Sequence, residues 1–572
     1  MIFLLMGAVV LVSLFLVPLL GRDFFPAVDA GQIRLHGRAP AGTRIEATTS
    51  RFIQVGNTMR RIIPANEIQT VISNIGLPVS GINLAFSDSS TISDADGEML
   101  ISLDPEKKTK PVAEYVRLLR EKLHSEFPDM VFYFAAPDIV SQILNFGIPA
   151  PIDVQVRGSN PKNYEVAKEI DQQILKIPGA VDVRVHQVVN GPELRINVDR
   201  TRAEQIGLTQ QTVASTMLVS LSSSGQAAPN FWLNFQTGFN YNVAVQTPQY
   251  NMDTLQELKN TPIAASGTSQ TQLLGNLATI ERRETPVIVD HYNVLPVYDV
   301  LANAQNRDLG GIADDIQKVV NGFTPKPHWF RSVAQFLHFE WVLDKFGWLK
   351  TPPSKLPRGT TITVRGQVQS MNESFAGLAG GIAFAIILVY FLMVVNFQSW
   401  TDPFIIITAL PGALCGIIWM LLVTGTTINV PSLMGAIMAI GVATSNSILL
   451  VTFANDERRD GKNAYDAALS AGYTRLRPIV MTALAMIIGM LPMSLGLGEG
   501  GEQNAPLGRA VIGGLIVATF ATLFFVPVVY SILRRKEFAE DADEKFDREA
   551  GEDKEDEKDG ESHHPGPSGE KA

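Results

Sequence analysis

The chain has 572 residues, of which 46% are hydrophobic and only 18% are charged. This balance excludes a disordered protein and is unusual for a soluble enzyme. The net charge of −10 arises in the tail, because residues 537–572 hold 15 Asp or Glu against 5 Lys or Arg, which leaves 42 of each sign for residues 1–536. The single cysteine, Cys415, excludes a disulfide framework and a thiolate metal site.

Six apolar runs have about the 20 residues that a helix needs to cross a bilayer. The first run lacks a basic segment before it and a small-residue cleavage site after it, which favours a membrane helix over residues 1–20 rather than a signal peptide. The other five predict a five-helix bundle over residues 374–535. The runs are Ile2–Leu20, Leu378–Val395, Phe404–Val423, Val430–Ala454, Pro478–Leu497 and Ala510–Leu533.

The distribution of basic residues predicts the orientation of these helices. The loop Asn455–Arg477 carries five Lys or Arg, and three more follow the last run at 534–536, whereas the loops Thr424–Asn429 and Gly498–Gly508 carry none. Both termini are therefore expected in the cytoplasm. The 353 residues of 21–373 are expected on the opposite side, which is the periplasm of a Gram-negative cell.

Within this large segment, hydrophobic periodicity predicts two α/β sandwiches of the ferredoxin-like β-α-β-β-α-β type. The first covers residues 24–143, with helices near Arg44–Ile63 and Pro111–Phe127. The second covers 144–191 and 281–365, and residues 192–280 form a subdomain inserted into it. The elements predicted for the second sandwich are Ile152–Val156, Asn163–Ile177, Ala180–Val185, Val287–Val289, Val297–Leu301, Gly311–Val320 and Thr361–Val364.

Two further segments stand apart in composition. The stretch 325–355 holds seven Trp or Phe, which fits either a helix at the bilayer interface or a hairpin packed on the second sandwich. The acidic segment 537–572, rich in Gly and Pro near its end, is predicted to be disordered.

Several motifs in order carry a family resemblance. The chain from Gly21 to Lys536, apart from the aromatic insert, resembles the C-terminal half of a resistance–nodulation–division (RND) efflux permease, and most of all the hydrophobe/amphiphile multidrug branch. The motifs are Asp23–Asp29 (DFFPAVD), Ala39–Thr43 (APAGT), Gly441–Leu450 (GVATSNSILL), Arg475–Thr482 (RLRPIVMT) and Phe524–Val528 (FFVPV).

The resemblance implies an α+β membrane protein with six transmembrane helices, whose two sandwiches are porter subdomains and whose residues 192–280 are a docking subdomain. It implies a trimer in the bacterial inner membrane that exchanges protons for small organic compounds and works with a periplasmic adaptor protein and an outer-membrane channel. It also implies that an N-terminal RND half is missing or is a separate chain. With no nucleophile motif, phosphate loop or dinucleotide fingerprint, we expect no enzyme activity, no cofactor and no nucleic-acid partner.

Proton coupling needs an ionisable group within the membrane, yet the six apolar runs contain no Asp, Glu, Lys, Arg or His. The resemblance places the proton-carrying Asp pair on the N-terminal half, and Ser445 stands where drug pumps have a Lys. We expect Ser445, Asn446 and Thr482 to hydrogen-bond to a carboxylate of a partner half. The alternative is interhelical hydrogen bonding worth about 0.6–2 kcal/mol each.

Other polar and small residues in the membrane segment have simpler explanations. Arg475 matches a residue at the edge of the family's relay, but it also fits the preference for basic residues in cytoplasmic loops. Five glycines are expected to permit close packing between helices: Gly435, Gly441, Gly489, Gly513 and Gly514.

Substrate contact is assigned to Phe86, Phe132 and Phe134, which are expected to line an apolar pocket between the porter subdomains; the alternative is that they belong to a sandwich core. Metal export is less expected, because the Met residues of the large segment are scattered and the His residues before the tail form no i, i+4 pair. A half-pump that only docks partner proteins, and a heavy-metal or protein-export member of the same superfamily, stay open as alternatives.

Overall fold

The structure is a computed structural model that describes residues 2–77, 91–145, 147–264, 271–324, 355–497 and 500–534. The acidic tail, Phe86 and nearly all of the aromatic insert lie outside these residues. The described chain begins with helix α1, Ile2–Leu16, which a short 3-10 turn extends to Leu19.

The first sandwich confirms the predicted order of elements. Its four antiparallel strands lie in the order β2-β3-β1-β4, with both helices packed on one face of the sheet. Leu35, Val55 and Leu119 lie fully buried between the sheet and the helices. The elements are β1 (Gln32–Arg38), α2 (Ile45–Ile62), β2 (Ile68–Ile75), β3 (Asp96–Leu103), α3 (Val112–Glu126) and β4 (Val131–Ala135).

The next segment contains the second sandwich and the unit inserted into it. Its helices are α4 (Ile139–Leu144), α5 (Asn163–Ile174), α6 (Arg200–Gln205), α7 (Gln210–Ser222), α8 (Ser224–Ala227), α9 (Leu255–Lys259), α10 (Leu274–Leu277) and α11 (Leu309–Phe323). Its strands are β5 (Ile152–Arg157), β6 (Ala180–Val185), β7 (Gly191–Val198), β8 (Asn230–Leu233), β9 (Asn240–Val243), β10 (Pro262–Ala264), β11 (Thr271–Leu273), β12 (Ala278–Thr285), β13 (Asp290–Tyr292), β14 (Leu295–Ala304) and β15 (Thr361–Gly366).

The second sandwich has the same split arrangement as the first. Its sheet runs β13-β14-β5-β15, with β6 also paired to β14, and α5 and α11 cover the face that carries Val154. The strand predicted at Val287–Val289 is wrong: the short strand is Asp290–Tyr292, because the chain turns at Asn293 and Val294, which both have positive φ, and returns as β14.

The inserted unit has its own hydrophobic core, formed by α6, α7, α9 and α10 around Val213, Ile263 and Leu274. Strands β7 and β12 pair antiparallel along their full length, from Gly191 opposite Thr285 to Val198 opposite Ala278. These two strands connect the unit to the second sandwich.

Within the described residues, five helices are long and apolar enough to cross a membrane, as the sequence predicts. The sixth predicted span is represented by a shorter apolar helix over Met6–Leu19. Strand β15 passes directly into the first long helix through Gly366, which has positive φ. The bundle consists of α12 (Gln367–Phe397), α13 (Thr401–Ile407), α14 (Leu410–Val423), α15 (Val430–Arg459), α16 (Ala464–Ser494), α17 (Ala505–Phe520), a π-helical turn (Ala521–Phe525) and α18 (Val526–Leu533).

Close packing of α14 and α17 depends on glycine. A Cβ at Gly513 would overlap the Met420 side chain and the Gly416 carbonyl, so only glycine fits at this crossing. The prediction of close contacts is also confirmed for Gly435 and Gly514. It is wrong for Gly441 and Gly489, where no described atom lies within 4 Å of the position that a Cβ would occupy.

We expect Gly513→Ala to lower the free energy of unfolding by about 2 kcal/mol, because the added methyl forces α14 and α17 apart. Gly489→Ala, in open space on α16, should leave stability unchanged or raise it slightly, since alanine favours the helix. Thermal unfolding of both variants in detergent tests this. Equal midpoints for the two variants would contradict the packing account.

Candidate functional site

The polar run of α15 faces two directions. Thr444 and Ser447 donate hydrogen bonds to the carbonyls of Ile440 and Ala443 one turn earlier. Ser447 also lies 3.1 Å from the Thr522 hydroxyl in the π-helical turn of the last span. Asn446 is buried in the bundle, whereas Ser445 is exposed. For Ser447, the structure therefore supports an interhelical bonding role.

A cavity of about 400 Å³ opens beside Ser445, between α12, α13, α14 and α15. Thr444 and Ser445 are its polar lining residues, and its other walls are aliphatic or glycine. Ser445 also belongs to an exposed stripe along one face of α15. The stripe consists of Met434, Met438, Gly441, Ser445 and Leu449.

The structure does not bring all four predicted relay residues to this cavity. Thr482 is exposed on α16, donates to the Ile479 carbonyl at 3.0 Å and is not a lining residue. Arg475 lies near the end of the bundle away from the sandwiches, with its guanidinium 4.9 Å from the centre of the Phe453 ring. Among the described residues, its buried Nε has no hydrogen-bond acceptor. Only Ser445, together with Thr444, thus lines the open face.

Sequence reasoning missed a buried acid at that same end of the bundle. Asp402, only 3% exposed, lies at the start of α13, forms an ion pair with Arg534 at 2.7 Å and accepts a hydrogen bond from Asn455. Asn455 in turn accepts from Tyr530 at 2.6 Å. The expectation of no buried acid holds within the apolar runs but is wrong at this boundary. The Asp402-Pro403 dipeptide between two apolar runs is the sequence feature that could have indicated this acid.

Of the three predicted substrate residues, Phe132 and Phe134 lie within the described residues and Phe86 lies outside them. Phe132 and Phe134 both lie on the helix-covered face of the first sheet, opposite Gly37 and Leu35, so both pack with the core. Phe134 additionally lines a cavity of about 450 Å³ between the two sandwiches and the membrane bundle, and Arg120 stacks 5.0 Å from its ring centre.

The cleft that holds this cavity is closed on one side by Asp182 of the second sandwich. Its carboxylate, 2% exposed, binds Arg120 of the first sandwich through two hydrogen bonds of 2.6 and 2.8 Å. It also accepts from the backbone N–H of Phe134, while Asn303 donates to the Phe134 carbonyl. Paired and hydrogen-bonded on both sides, Asp182 fixes the two sandwiches relative to each other.

A second group of charges joins the sandwiches further along the same interface. Arg38 forms an ion pair with Asp96 at 2.6 Å and donates to the His186 carbonyl of the second sandwich at 3.0 Å. Burial alone would raise the pKa of Asp96, but the hydrogen bond from His36 and the charge of Arg38 lower it to about 2. Burial, together with the charges of Arg38 and Arg184, lowers the pKa of His186 to about 3.

The second sandwich also buries a pair of acids on the sheet face opposite its helices. Asp153 accepts from Gln155 at 2.9 Å, and Asp299 accepts from Gln187 at 2.7 Å. Burial, reinforced by the neighbouring Asp299, raises the pKa of Asp153 well above its usual range. The Oδ1 atoms of Asp153 and Asp299 have no hydrogen-bond donor among the described residues, and the raised pKa of both carboxyl groups favours a protonated pair.

The described residues do not form a recognisable metal site. Among the described residues, no group of three or more His, Cys, Asp or Glu side chains has the arrangement that holds a metal ion. The described part of the cleft offers aromatic and guanidinium groups, amide side chains and a single carboxylate, that of Asp23.

We expect Asp182→Asn to loosen the cleft, since it leaves Arg120 without its bidentate partner, at a cost of about 3 kcal/mol. Spin labels at the exposed positions Ser125 and Gln172 should report a broader distance distribution between the sandwiches. Asp129→Asn, which removes an exposed ion pair with Arg51 inside the first sandwich, should leave the distribution unchanged. Identical distributions for the two variants would show that Asp182 does not hold the interface.

The raised pKa of Asp153 has a consequence for stability against pH. The folded protein binds this proton more tightly than the unfolded chain, so stability falls as pH rises from about 4 towards the raised pKa, by about 1.4 kcal/mol per pKa unit. Asp153→Asn should therefore raise the unfolding midpoint at pH 8 and change it little at pH 4. Asp94→Asn, at an exposed site, is the control. A lower midpoint for Asp153→Asn at pH 8 would contradict this assignment.

Comparison with known proteins covers most of the chain. A sequence model of the AcrB/AcrD/AcrF family matches residues 1–339 and 350–534. The cation efflux system protein CzcA of Alcaligenes sp. (strain CT14) is 25% identical over 534 residues, which are 92% of this chain and 46% of that protein. Protein HelA of Legionella pneumophila is 27% identical over 546 residues, covering 92% and 47% of the two chains.

A third relative, the nickel-cobalt-cadmium resistance protein NccA of Alcaligenes xylosoxydans xylosoxydans, is 26% identical over 528 residues, or 90% of this chain and 45% of that protein. The crystal structure of a heavy metal efflux pump superposes with a TM-score of 0.72 at 22% identity, covering 93% of this chain and 49% of that one.

The chain thus spans about half the length of these relatives. Where the names of these relatives state a substrate, they state metal cations, so they do not support the resemblance to the multidrug branch. The family model matches nearly all of residues 1–534, and this match identifies the family without specifying a substrate. The chain therefore belongs to the AcrB/AcrD/AcrF family of RND efflux permeases.

Proposed function

We propose that this chain is the C-terminal half of an RND efflux permease and that it transports substrate only when an N-terminal half completes its membrane domain. The observation that carries this proposal is the open face of α15, where Gly441 and Ser445 are exposed beside the 400 Å³ cavity. The small residues Gly441 and Ser445 on this exposed helix face allow another helix to approach closely beside the cavity. The half-length coverage of the relatives supports the same proposal.

The proton-carrying group then belongs to the partner. An ionisable side chain facing Ser445 and Thr444 would find hydroxyl partners in an otherwise apolar cavity. The buried Asp402 is an unsuitable carrier, because Arg534 neutralises it at one end of the span. Asn446 and Arg475 support the relay indirectly, through the packing of α15 and α16, and the exposed Thr482 hydroxyl is open to the partner half.

The assembly we propose follows the family. The bundle lies in the bacterial inner membrane with both ends of the chain in the cytoplasm, and the two sandwiches are periplasmic porter subdomains. Residues 192–280 form the docking subdomain. The working unit is a trimer that meets a periplasmic adaptor and an outer-membrane channel.

The substrate that the cavity geometry supports best is a small amphiphilic organic compound. The 450 Å³ cavity is lined by Phe24, Phe25 and Phe134 together with the charged Asp23, Arg120 and Arg307 and several amide side chains, and this mixture of aromatic wall and polar groups suits an amphiphilic organic ligand. A second candidate is a divalent metal cation, which the names of CzcA and NccA favour. In that case the ligands come from outside the described part of the cleft or from the partner half.

Co-production with an N-terminal half from the same genome tests the proposal. We expect the two halves to co-purify. Gly441→Leu should abolish co-purification, because the larger side chain blocks the open face, whereas Gly489→Leu should not. Neither glycine has a described atom within 4 Å of its Cβ position, so both new side chains start in open space, and equal unfolding midpoints of the two variants are the check that the chain itself is intact.

The same cells distinguish the substrates. Resistance to a lipophilic dye that falls in Phe134→Leu at equal protein level supports organic efflux, whereas resistance to Zn²⁺ or Co²⁺ salts alone supports cation efflux. Co-purification without any resistance would indicate a half-pump that only docks other proteins. Resistance conferred by this chain alone would overturn the proposal that it needs a partner.

A further inference from the structure

A second polar cavity lies on the far side of the second sandwich from the inter-sandwich cleft. It has a volume of about 530 Å³ and lies against edge strand β15, where α11 ends and α12 begins. None of its lining residues is acidic, and two of them, Arg157 and Arg365, are arginines.

Both arginines stack on one aromatic ring. The guanidinium carbons of Arg157 and Arg365 lie 5.0 and 4.2 Å from the centre of the Tyr292 ring. Tyr292 is held there by the tight β13–β14 turn, whose residues Asn293 and Val294 have positive φ; for the β-branched Val294 this conformation is strained. The β13–β14 turn is therefore strained, and it holds the Tyr292 ring against two positively charged guanidiniums.

The two positive charges lack a countercharge among the described residues. Neither guanidinium forms an ion pair with a described carboxylate, and the Arg365 Nε donates to the amide oxygen of Gln369 at 3.3 Å. The Arg157 Nε is buried and has no hydrogen-bond acceptor in the same part of the chain. Like charges this close repel each other, and a buried unpaired guanidinium N–H is costly.

Asp153, opposite Arg365 in the strand register, does not resolve this imbalance. Asp153 lies close enough to Arg365 to feel its charge, but burial and Asp299 raise the pKa of Asp153, which favours its neutral form. Ring stacking satisfies the faces of the two guanidiniums and leaves their N–H edges free. Those planar edges match the oxygens of a carboxylate or phosphate group.

We propose that this cavity binds a small anion through a carboxylate or phosphate group placed between Arg157 and Arg365. Thr363 and Gln369 line the same space and supply further polar contacts. Since Gln369 lies in the first turn of α12, the bound anion contacts both the sheet and the first helix of the bundle. The site is separate from the Phe134 cavity, and its existence does not depend on the proposed transport function.

Binding is tested on the purified full chain in detergent free of phosphate and carboxylate. Inorganic phosphate or benzoate should raise the thermal unfolding midpoint in a saturable manner, and Arg157→Gln or Arg365→Gln should weaken the apparent affinity at least tenfold. Arg195→Gln, an exposed arginine on β7, removes the same charge and should change nothing. Equal responses of Arg157→Gln and the unchanged chain would overturn the proposal.

A vesicle experiment identifies the source of the anion. Stabilisation by the free anions indicates a soluble ligand, whereas stabilisation only in phosphatidylglycerol vesicles, and not in phosphatidylcholine vesicles, indicates a lipid headgroup; both support the site. No response to any of the three probes would overturn it.

Discussion

The membrane bundle is governed by the cost of placing polar groups in hydrocarbon. Its six apolar runs contain no Asp, Glu, Lys, Arg or His, and hydroxyls such as those of Thr444, Thr482 and Thr519 donate to carbonyls of their own helix. Among the described residues, side chains join two spans where Ser447 meets Thr522 and where Trp419 donates to Ser13 of α1 at 3.0 Å. Such a bundle is well suited to packing and poorly suited to holding a proton by itself.

The interface between the two sandwiches, unlike the membrane bundle, depends on charged side chains. Their interface is built from buried charges, with Asp182 bound to Arg120 and Asp96 bound to Arg38, and each of these pairs joins or borders both sandwiches. Buried pairs of this kind add little net stability, but breaking one is costly, so they define a specific closed arrangement. A cleft closed by charges can still open as a unit when a ligand competes for the same groups, and Arg120 is shared between the Asp182 pair and the Phe134 cavity.

Local periodicity was enough to predict most elements of the fold. Both β-α-β-β-α-β units, the inserted unit and the five long helices follow from patterns that involve only neighbouring residues. Side-chain partners were not predictable in the same way, since Arg120 and Asp182 are 62 residues apart and Asp402 and Arg534 are 132 apart. The alternation in Phe132-Tyr133-Phe134 indicated that the side chains point to two faces of the strand, but not which face packs against the helices. In the structure both phenylalanines lie on the helix-covered face and pack with the core.

The central claim is that this polypeptide contributes half of a membrane domain and that proton coupling requires a carboxylate from the other half. Its most direct test is proton flux into sealed vesicles that carry a pH-sensitive dye and an imposed pH gradient. The account predicts no substrate-dependent flux with the purified chain alone and substrate-dependent flux when the N-terminal half is reconstituted with it. Substrate-dependent proton uptake by the chain alone would contradict the account, and its loss in Asp402→Asn would then identify the acid responsible.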